Sequence, residues 1–369
     1  MREVLIVTGE TSGDLHASLF ASALGKLRPD LHLTGVGGPG MEAAGVSLFV
    51  KQDLSGVMGF VEVLRHIPRH ARILSRIKKR LDSGRVSLVV LVDYPGFNIR
   101  VADAATARNV PVLYYITPQV WAWGASRLPK LARIVTRAAV ILPFEEQLLR
   151  GYGIDARFVG HPLLDRVGSL PSQQDARREL SLDERRPVLA VFPGSRAQEV
   201  ERHAAPFTET ARILERRHPG LQVVVSTAPG LAREVGKIPY RQLHGSSLTL
   251  LRAADAALCK SGTTTLEAAI AGCPLIVAYR AGTVSYMLAR RLVRIPHIAL
   301  VNVVAGREVA REFVQDAVQP GAMADALSPL LVPGERRREV MEALTEVRGR
   351  LGSPGAAERV AEMASGMAA

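Results

Sequence analysis

A carboxylate at the end of an apolar run is the first candidate for chemistry in the sequence. Asp93 directly follows Leu88–Val92, and a buried charge is costly there unless it is paired or used. This position is typical of a general base at the edge of a cleft. The alternative is a turn residue before a helix at Asn98. We favour the base because the carboxylate follows the strand immediately.

A glycine-containing turn, Gly9–Asp14, follows the apolar run Val4–Val7 and includes Glu10. Glycine allows a tight bend, and the next helix would offer free N–H groups to a ligand. The alternative is a plain helix start that Ser12 or Asp14 caps. This turn lacks GxGxxG spacing, and no acidic residue follows at the expected later strand end, which disfavours an NAD site.

Polar turns also follow apolar runs in the second half of the chain. Val188–Phe192 leads into Gly194, Ser195 and Arg196. The glycine and serine suit a turn and a helix cap, and the arginine carries a planar fork for phosphate oxygens. A capped helix with a solvated arginine is the alternative. We favour phosphate contact because the turn is expected at the edge of the sheet where ligands bind.

The most informative stretch opens a helix with Ser261, Gly262 and Thr263. Hydroxyl and N–H groups at a helix start suit a diphosphate. Glu267 lies one turn inside this helix, where its carboxylate could accept two hydrogen bonds from a ribose diol. The alternative for Glu267 is a capping-box partner for Thr264.

Two further stretches suggest contacts with large substrates. Trp121 and Trp123 lie in one predicted turn after a strand. They fit either two core residues or a rigid aromatic wall that contacts sugar or acyl groups. The segment Val57–Leu81 interleaves apolar and basic residues, which fits either a helix packed on the sheet or one lying on an anionic membrane. Pro68 is expected to kink or restart that helix.

Alternating apolar runs and amphipathic stretches determine where these residues must lie. They predict βαβ units, and hence an α/β chain of two Rossmann-like domains with parallel sheets facing a central cleft. The expected domains are residues 1–168 and 180–345, followed by a C-terminal helical segment, 346–369, that could pack back on the first domain. Val135–Leu142 is expected to be one strand.

Composition narrows the classes of function. The chain has 369 residues, 47% of them hydrophobic, and a formal net charge of +12, which indicates a globular protein with an anionic partner. Two cysteines, no leader-like N-terminus and no long apolar run predict a cytoplasmic location. No metal-ligand spacing, P-loop or GxSxG is present, so no metal or cofactor is expected.

Taken in order, the short motifs resemble the lipid-A-disaccharide synthase family, glycosyltransferases of the two-domain GT-B fold. The resemblance covers nearly the whole chain. It is carried by Gly9–Asp14, Gly38-Pro39 with Met41, Val57–Gly59 with Glu62–Leu64, Asp93 with Pro95, Phe97 and Asn98, Pro118 with Trp121–Trp123, Leu142–Glu145, Gly160–Pro162, Pro193–Arg196 with Glu199, Ser261–Thr263 with Leu266 and Glu267, Tyr279-Arg280, Asn302, Gly306 and Arg307. Val301 and Arg311 replace prolines that are usual in the family.

The resemblance implies transfer of 2,3-diacylglucosamine from UDP to 2,3-diacylglucosamine 1-phosphate, with inversion, giving a β-1,6-linked disaccharide 1-phosphate in lipid A synthesis. Asp93 would be the base, and Glu10 would join it in the catalytic set. UDP would contact Gly194, Ser195, Arg196, Ser261, Gly262, Thr263, Glu267, Asn302 and Arg307. The acceptor and its acyl chains would contact Ser12, Met58, Val61, Leu64, Trp121 and Trp123.

Other interpretations remain open at this point. The same fold would serve a UDP-GlcNAc 2-epimerase or another UDP-sugar enzyme, although the apolar and basic segment at 57–81 argues against an epimerase. The positive charge would also suit a nucleic-acid-binding protein, but only 5% of residues are aromatic, and stacking on bases needs aromatic side chains. The expected partners are the two acylated sugars and the inner-membrane surface, with peripheral association and, as one option, a homodimer.

Overall fold

The computed structural model describes residues 2–52, 60–228, 230–231, 235, 238–282 and 296–368, apart from the side chains at 60–67, 123, 125, 166 and 169. The chain divides into two compact units. The first comprises Met1–Pro162 and Gly352–Ala369, and the second comprises Leu163–Leu351. The predicted divisions at 168 and 346 therefore differ from those observed. Residue 346 lies inside a helix that belongs wholly to the second unit.

The first unit contains a parallel sheet in the order β3-β2-β1-β4-β5-β6-β7. Its strands are β1 (Glu3–Val7), β2 (His32–Gly37), β3 (Ser47–Lys51), β4 (Val86–Val92), β5 (Val112–Tyr115), β6 (Arg137–Val140) and β7 (Asp155–Phe158). Its helices up to this point are α1 (Thr11–Leu27), α2 (Pro39–Ala43), α3 (Phe60–Asp82), α4 (Pro95–Thr106), α5 (Val120–Trp123), α6 (Leu128–Ile134) and α7 (Pro143–Arg150).

The second unit contains a parallel sheet in the order β10-β9-β8-β11-β12-β13. Its strands are β8 (Val188–Phe192), β9 (Gln222–Thr227), β10 (Arg241–His244), β11 (Ala256–Lys260), β12 (Leu275–Tyr279) and β13 (Glu312–Val314). Its described helices are α8 (Gln173–Glu179), α9 (Ala197–Arg217), α10 (Ser247–Ala253), α11 (Thr264–Ala271), α12 (Leu300–Ala305), α13 (Pro320–Leu327) and α14 (Glu335–Arg350). A last helix, α15 (Ala356–Met367), returns to the first unit and packs against α1.

Apolar residues alternate between two cores on the faces of the first sheet. Leu5 and Val7 of β1 pack on one face with Ile77 of α3. Val4 and Ile6 pack on the other face with residues of α1 and α15. Every residue of β1 is buried, as expected for a central parallel strand that helices cover on both sides. The predicted parallel α/β architecture is confirmed for each unit.

Two local predictions differ from the structure. β6 is shorter than Val135–Leu142, because residue 135 ends α6 and residue 142 begins α7. Pro68 lies inside α3 and does not restart it, so the helix tolerates the loss of one backbone donor. Among the described residues, no helix is both long and apolar enough to cross a membrane.

Candidate active site

Asp93 lies at the carboxyl end of β4 in a strained backbone conformation. Asp93 and Tyr94 have φ angles of 49° and 51°, a left-handed region that costs free energy for residues other than glycine. Two side chains hold the strained carbonyl of Asp93. Asn98 Nδ2 donates to it at 2.7 Å and Tyr114 Oη donates at 3.0 Å. Strain maintained in this way is typical of a functional position.

The carboxyl group of Asp93 is perturbed toward the protonated form. Burial, followed by the negative charge of Glu10, raises the pKa of Asp93 to about 6, although the Tyr94 N–H partly opposes this. Such a group is ionised at neutral pH and basic enough to accept a proton from a hydroxyl. Two carboxylates that interact in this way are a common catalytic arrangement.

Glu10 is brought to Asp93 by the turn that links β1 to α1. It occupies the N-cap position of α1 but makes no side-chain cap hydrogen bond. Gly9 is required beside it, because a Cβ there would lie 2.3 Å from the Tyr94 ring. The Tyr94 hydroxyl in turn lies 2.7 Å from His70 Nε2 of α3. The β1 turn, the β4 turn and α3 therefore meet around Tyr94.

Asp14 has a different role from the helix cap proposed for it. Its carboxylate accepts hydrogen bonds from the N–H groups of Gly38 and Gly40 at 2.8 Å and of Met41 at 3.2 Å. Asp14 therefore joins its own turn, Gly9–Asp14, to the backbone at Gly38–Met41 and caps α2. Neither Asp14 nor Ser12 caps α1, and Ser12 is exposed to solvent. That alternative is wrong because the start of α2 folds over Asp14.

Trp121 is anchored by a buried carboxyl group. Its Nε1–H donates to Glu145 at 2.9 Å, and its ring meets Phe144 edge-on at 5.1 Å between centroids. Burial raises the pKa of Glu145 to about 7, although the hydrogen bonds from Trp121 and Leu142 oppose the shift. The half-buried indole is therefore fixed in orientation, as an aromatic wall requires.

In the second unit, the turn after β8 is built on Glu199 of α9. Gly194 has a φ angle of 139°, and a Cβ there would lie 2.6 Å from Glu199 Cβ. Ser195 N–H donates to Glu199 Oε2 at 3.0 Å. Arg196 is the N-cap residue of α9, with a side chain that is 63% exposed and 3.8 Å from Glu199 Oε1. The guanidinium therefore lies near the carboxyl edge of this sheet with most of its surface in solvent.

The turn after β11 has the predicted helix start. α11 begins after Thr263, which is exposed, and Glu267 lies half-buried in its first turn. Thr263 is the N-cap and makes no side-chain cap hydrogen bond. The capping-box alternative, which needs Thr264 as the cap, is therefore wrong. Ser261 Oγ donates to the carbonyl of Ile298 at 2.8 Å, which fixes this serine beside the turn.

The amino-acid sequence is similar to one protein family along nearly its whole length. The model of the lipid-A-disaccharide synthetase family matches residues 4–364. Lipid-A-disaccharide synthases from Syntrophus aciditrophicus and Myxococcus xanthus are 41% and 39% identical, over 98% and 97% of this chain and 96% of each relative. The chain belongs to the lipid-A-disaccharide synthase family. It is accordingly a glycosyltransferase, and its substrates are lipid A precursors.

Solved structures share the fold at low sequence identity. MurG of Acinetobacter baumannii matches with a TM-score of 0.61 at 13% identity, over 99% of this chain and 100% of that one. A UDP-GlcNAc 2-epimerase from Neisseria meningitidis matches with a TM-score of 0.66 at 12% identity, over 99% and 100%. These likenesses confirm the GT-B fold class. The full-length family match favours the disaccharide synthase over the epimerase.

Asn302 was predicted to bind UDP, but its side chain makes all of its hydrogen bonds within the protein. Asn302 is fully buried, and its Nδ2 donates to Ala310 O at 2.7 Å and to Glu312 Oε1 at 2.8 Å. Its Oδ1 accepts from the N–H groups of Val309 and Ala310. An asparagine side chain has two donors and two acceptor sites, so none remains for UDP. The structure contradicts the predicted contact because Asn302 holds the approach to β13.

Arg307 lies between α12 and β13. Its side chain is exposed and pairs with Glu346 of α14 at 2.9 Å. The contact of Arg307 with UDP stays a prediction.

The acyl-binding predictions divide between described and undescribed residues. Met58 lies outside the described residues, as do the side chains of Val61, Leu64 and Trp123. In the described part of α3, Ile73, Ile77 and Leu81 are buried against the sheet. That part is a packed helix, and its apolar residues do not form an acyl entrance.

Sequence reasoning missed a group of buried polar atoms in the first unit. Thr8 Oγ1, His16 Nδ1 and Asn98 Oδ1 are buried without a hydrogen-bond partner in the described structure. Burial lowers the pKa of His16 to about 4 and that of His161 to about 3, with a further contribution from His16 in the second case. Single residues such as these give no periodic signal, because only the fold decides that their polar atoms are buried. Within the described parts of the chain, no cluster of three metal-ligating side chains is found.

Proposed function

We propose that this chain transfers 2,3-diacylglucosamine from UDP to the 6-hydroxyl group of 2,3-diacylglucosamine 1-phosphate. The products are the β-1,6-linked disaccharide 1-phosphate and UDP. The observation that carries the proposal is the perturbed carboxyl of Asp93, at a strained strand end in a member of this family. A single-displacement transfer inverts the anomeric carbon and needs one base for the attacking hydroxyl.

In this mechanism Asp93 accepts the acceptor's hydroxyl proton as the new C–O bond forms at the anomeric carbon. The bond from that carbon to the diphosphate oxygen breaks, and UDP leaves with the electron pair. Glu10 raises the pKa of Asp93 and so makes it a stronger base. Ser12 and Trp121 are proposed contacts of the acceptor, since the first is exposed at the start of α1 and the second is fixed by Glu145.

The departing UDP carries the negative charge that must be stabilised. Arg196 and the N–H groups of Gly262 and Thr263 are proposed to supply that stabilisation, with Glu267 on the ribose diol. Gly194 and Ser195 shape the turn that presents Arg196. This set needs no metal, and turnover should therefore persist in EDTA.

Membrane association is a separate proposal. Arg72, Arg76, Lys78 and Lys79 of α3 are exposed, and basic side chains are attracted to anionic lipid. Leu15 and Leu19 of α1 expose 51% and 43% of their surface, which suits contact with acyl chains. We propose a peripheral enzyme of the inner-membrane surface. A homodimer stays a prediction that sedimentation would test.

The test of the reaction is turnover of the two purified acylated sugars, followed by mass spectrometry of the lipid product and release of UDP. The proposal predicts one disaccharide 1-phosphate for each UDP. UDP release without disaccharide would contradict transfer, and formation of the 2-epimer of the donor sugar would favour the epimerase. Vesicles of neutral lipid and of anionic lipid test membrane binding separately.

A further inference from the structure

Two side chains of α9 connect the ends of three neighbouring strands in the second unit. Glu199 accepts from Ser195 N–H after β8 and pairs with Lys260 Nζ, at the end of β11, at 2.8 Å. His203 Nε2 accepts from Arg280 N–H, after β12, at 2.9 Å. Since Nε2 is the acceptor, Nδ1 carries the proton that it donates to Glu199 O at 2.7 Å. The turns that follow β8, β11 and β12 are therefore held in one frame.

Lys260 is the cation at the centre of this frame. Its side chain is 16% exposed and that of Glu199 is 13% exposed, so both charges are largely removed from water. Burial opposes ionisation of Glu199, but the Lys260 ammonium and the Ser195 N–H outweigh it and lower the pKa of the carboxyl. Lys260 Nζ also lies 5.7 Å from the centre of the Tyr279 ring. The position of the ammonium is thus well defined.

The ammonium is placed where it can reach the turn that opens α11. A Cβ at Gly262 would lie 3.8 Å from Lys260 Nζ, which is van der Waals distance, so the ammonium lies beside this turn. An ammonium has three donors, and the pair with Glu199 uses one. Arg196 lies 3.8 Å from the same carboxylate. Two cations against one carboxylate leave a net charge of one positive unit, which suits an anionic ligand.

We propose that Lys260 supplies a second positive charge, besides Arg196, to the diphosphate of UDP, and that Glu199 positions it. This inference rests on the proposed function, since it assumes that UDP binds at these turns. It goes beyond it by naming a binding residue and the residue that orients it. A lysine at a strand end gives no such indication in sequence, because its partner Glu199 is distant along the chain.

The experiment compares uridine, UMP and UDP by titration calorimetry on the wild-type chain, Lys260→Met and Lys260→Arg. Lys260→Met should weaken UDP binding about tenfold and leave uridine binding within about twofold. Lys260→Arg should retain most of the affinity for UDP because it retains the charge. The UDP affinity of Lys260→Met should also fall less steeply with added salt. Lys130→Met, which removes an exposed lysine paired with Asp103, is the matched control.

Equal weakening of uridine and UDP would overturn the proposal, because a merely structural lysine does not distinguish them. Unchanged affinity for UDP in Lys260→Met would overturn it as well. If Lys260→Met does not fold, Lys260→Gln carries the same test. A wild-type chain that binds UDP no better than uridine contradicts the diphosphate site itself. A wild-type preference for UDP that Lys260→Met keeps in full refutes only the role of Lys260.

Discussion

Replacement of Glu10 by glutamine should shift the acidic limb of the pH–rate profile. The pKa of Asp93 is raised to about 6 by burial first and by Glu10 second, against roughly 3.9 for a free aspartate. The full elevation of about two units corresponds to about 3 kcal/mol. Burial is the larger of the two causes that raise this pKa, and the Tyr94 N–H opposes both, so we expect Glu10 to account for about one unit, or about 1.4 kcal/mol. Removal of its charge makes Asp93 easier to ionise.

The base works only when it is ionised, so wild-type kcat/KM should fall as the pH drops through about 6. In Glu10→Gln the midpoint should move down by roughly half a unit to one unit. At pH near 5, the variant should then retain a several-fold larger share of its own maximal rate. The assay is initial UDP release in mixed micelles between about pH 4.5 and 8.5, with the same substrate preparations for every variant.

Two controls make the result specific. Glu179→Gln removes one exposed carboxylate from α8 and should leave the midpoint unchanged. Glu145 has a pKa of about 7 and could titrate in the same range, so Glu145→Gln shows whether it contributes to the limb. An unmoved midpoint in Glu10→Gln, with the wild-type limb present, would refute the coupling of Glu10 to a basic Asp93.

Four other predictions follow from the same contacts. Asp93→Asn should abolish turnover and leave UDP binding intact. The free energy of unfolding of this variant at neutral pH should exceed that of the wild type by up to about 3 kcal/mol. The reason is that an ionised carboxylate with a raised folded-state pKa destabilises the folded protein at any pH above that pKa. Denaturant titration at pH near 7.5 measures this gain, which should vanish below about pH 4. Arg196→Ala should weaken UDP binding about tenfold in calorimetry, and an unchanged affinity would contradict its phosphate role. Asn302→Ala should destabilise the chain by about 2–4 kcal/mol in chemical denaturation, since it leaves buried backbone groups unpaired, yet bind UDP normally when folded. The double variant Arg72→Glu with Arg76→Glu should sediment less with anionic vesicles than the wild type does. Its turnover of substrates in detergent should be unchanged. Vesicle binding equal to that of the wild type would refute a role of these α3 arginines in membrane association.

The strands and helices were largely predictable because they depend on local pattern. Buried β-branched runs indicated the central strands of both sheets, and the helix predicted to open at Ser261–Thr263 is observed as α11, which has Thr263 as its N-cap. The length of β6 was overestimated because the apolar pattern continues into residues that flank the strand. Pro68 does not restart α3, because packing of the later turns of α3 on the sheet sustains the helix; a kink at Pro68 stays a prediction.

The candidate site was predictable only where a residue's place along a strand decided its location. Asp93 follows β4 and Ser261 follows β11, and the carboxyl edge of a parallel sheet collects such residues. The contact predicted for Arg307 stays a prediction, because its exposed pair with Glu346 does not decide whether it reaches UDP. The prediction that Asn302 contacts UDP was wrong, because the four hydrogen bonds of its side chain go to residues whose positions the motif does not specify.

The sequence by itself determined the two parallel sheets, the strand ends that carry polar residues and the membership of a family of glycosyltransferases. Only the tertiary structure decided which of those residues interact. The carboxyl of Glu10 raises the pKa of Asp93, Asp14 binds the turn at Gly38, and Glu199 holds Lys260. Burial and charge act through distance in space, and residues far apart along the chain become neighbours only when the sheet assembles.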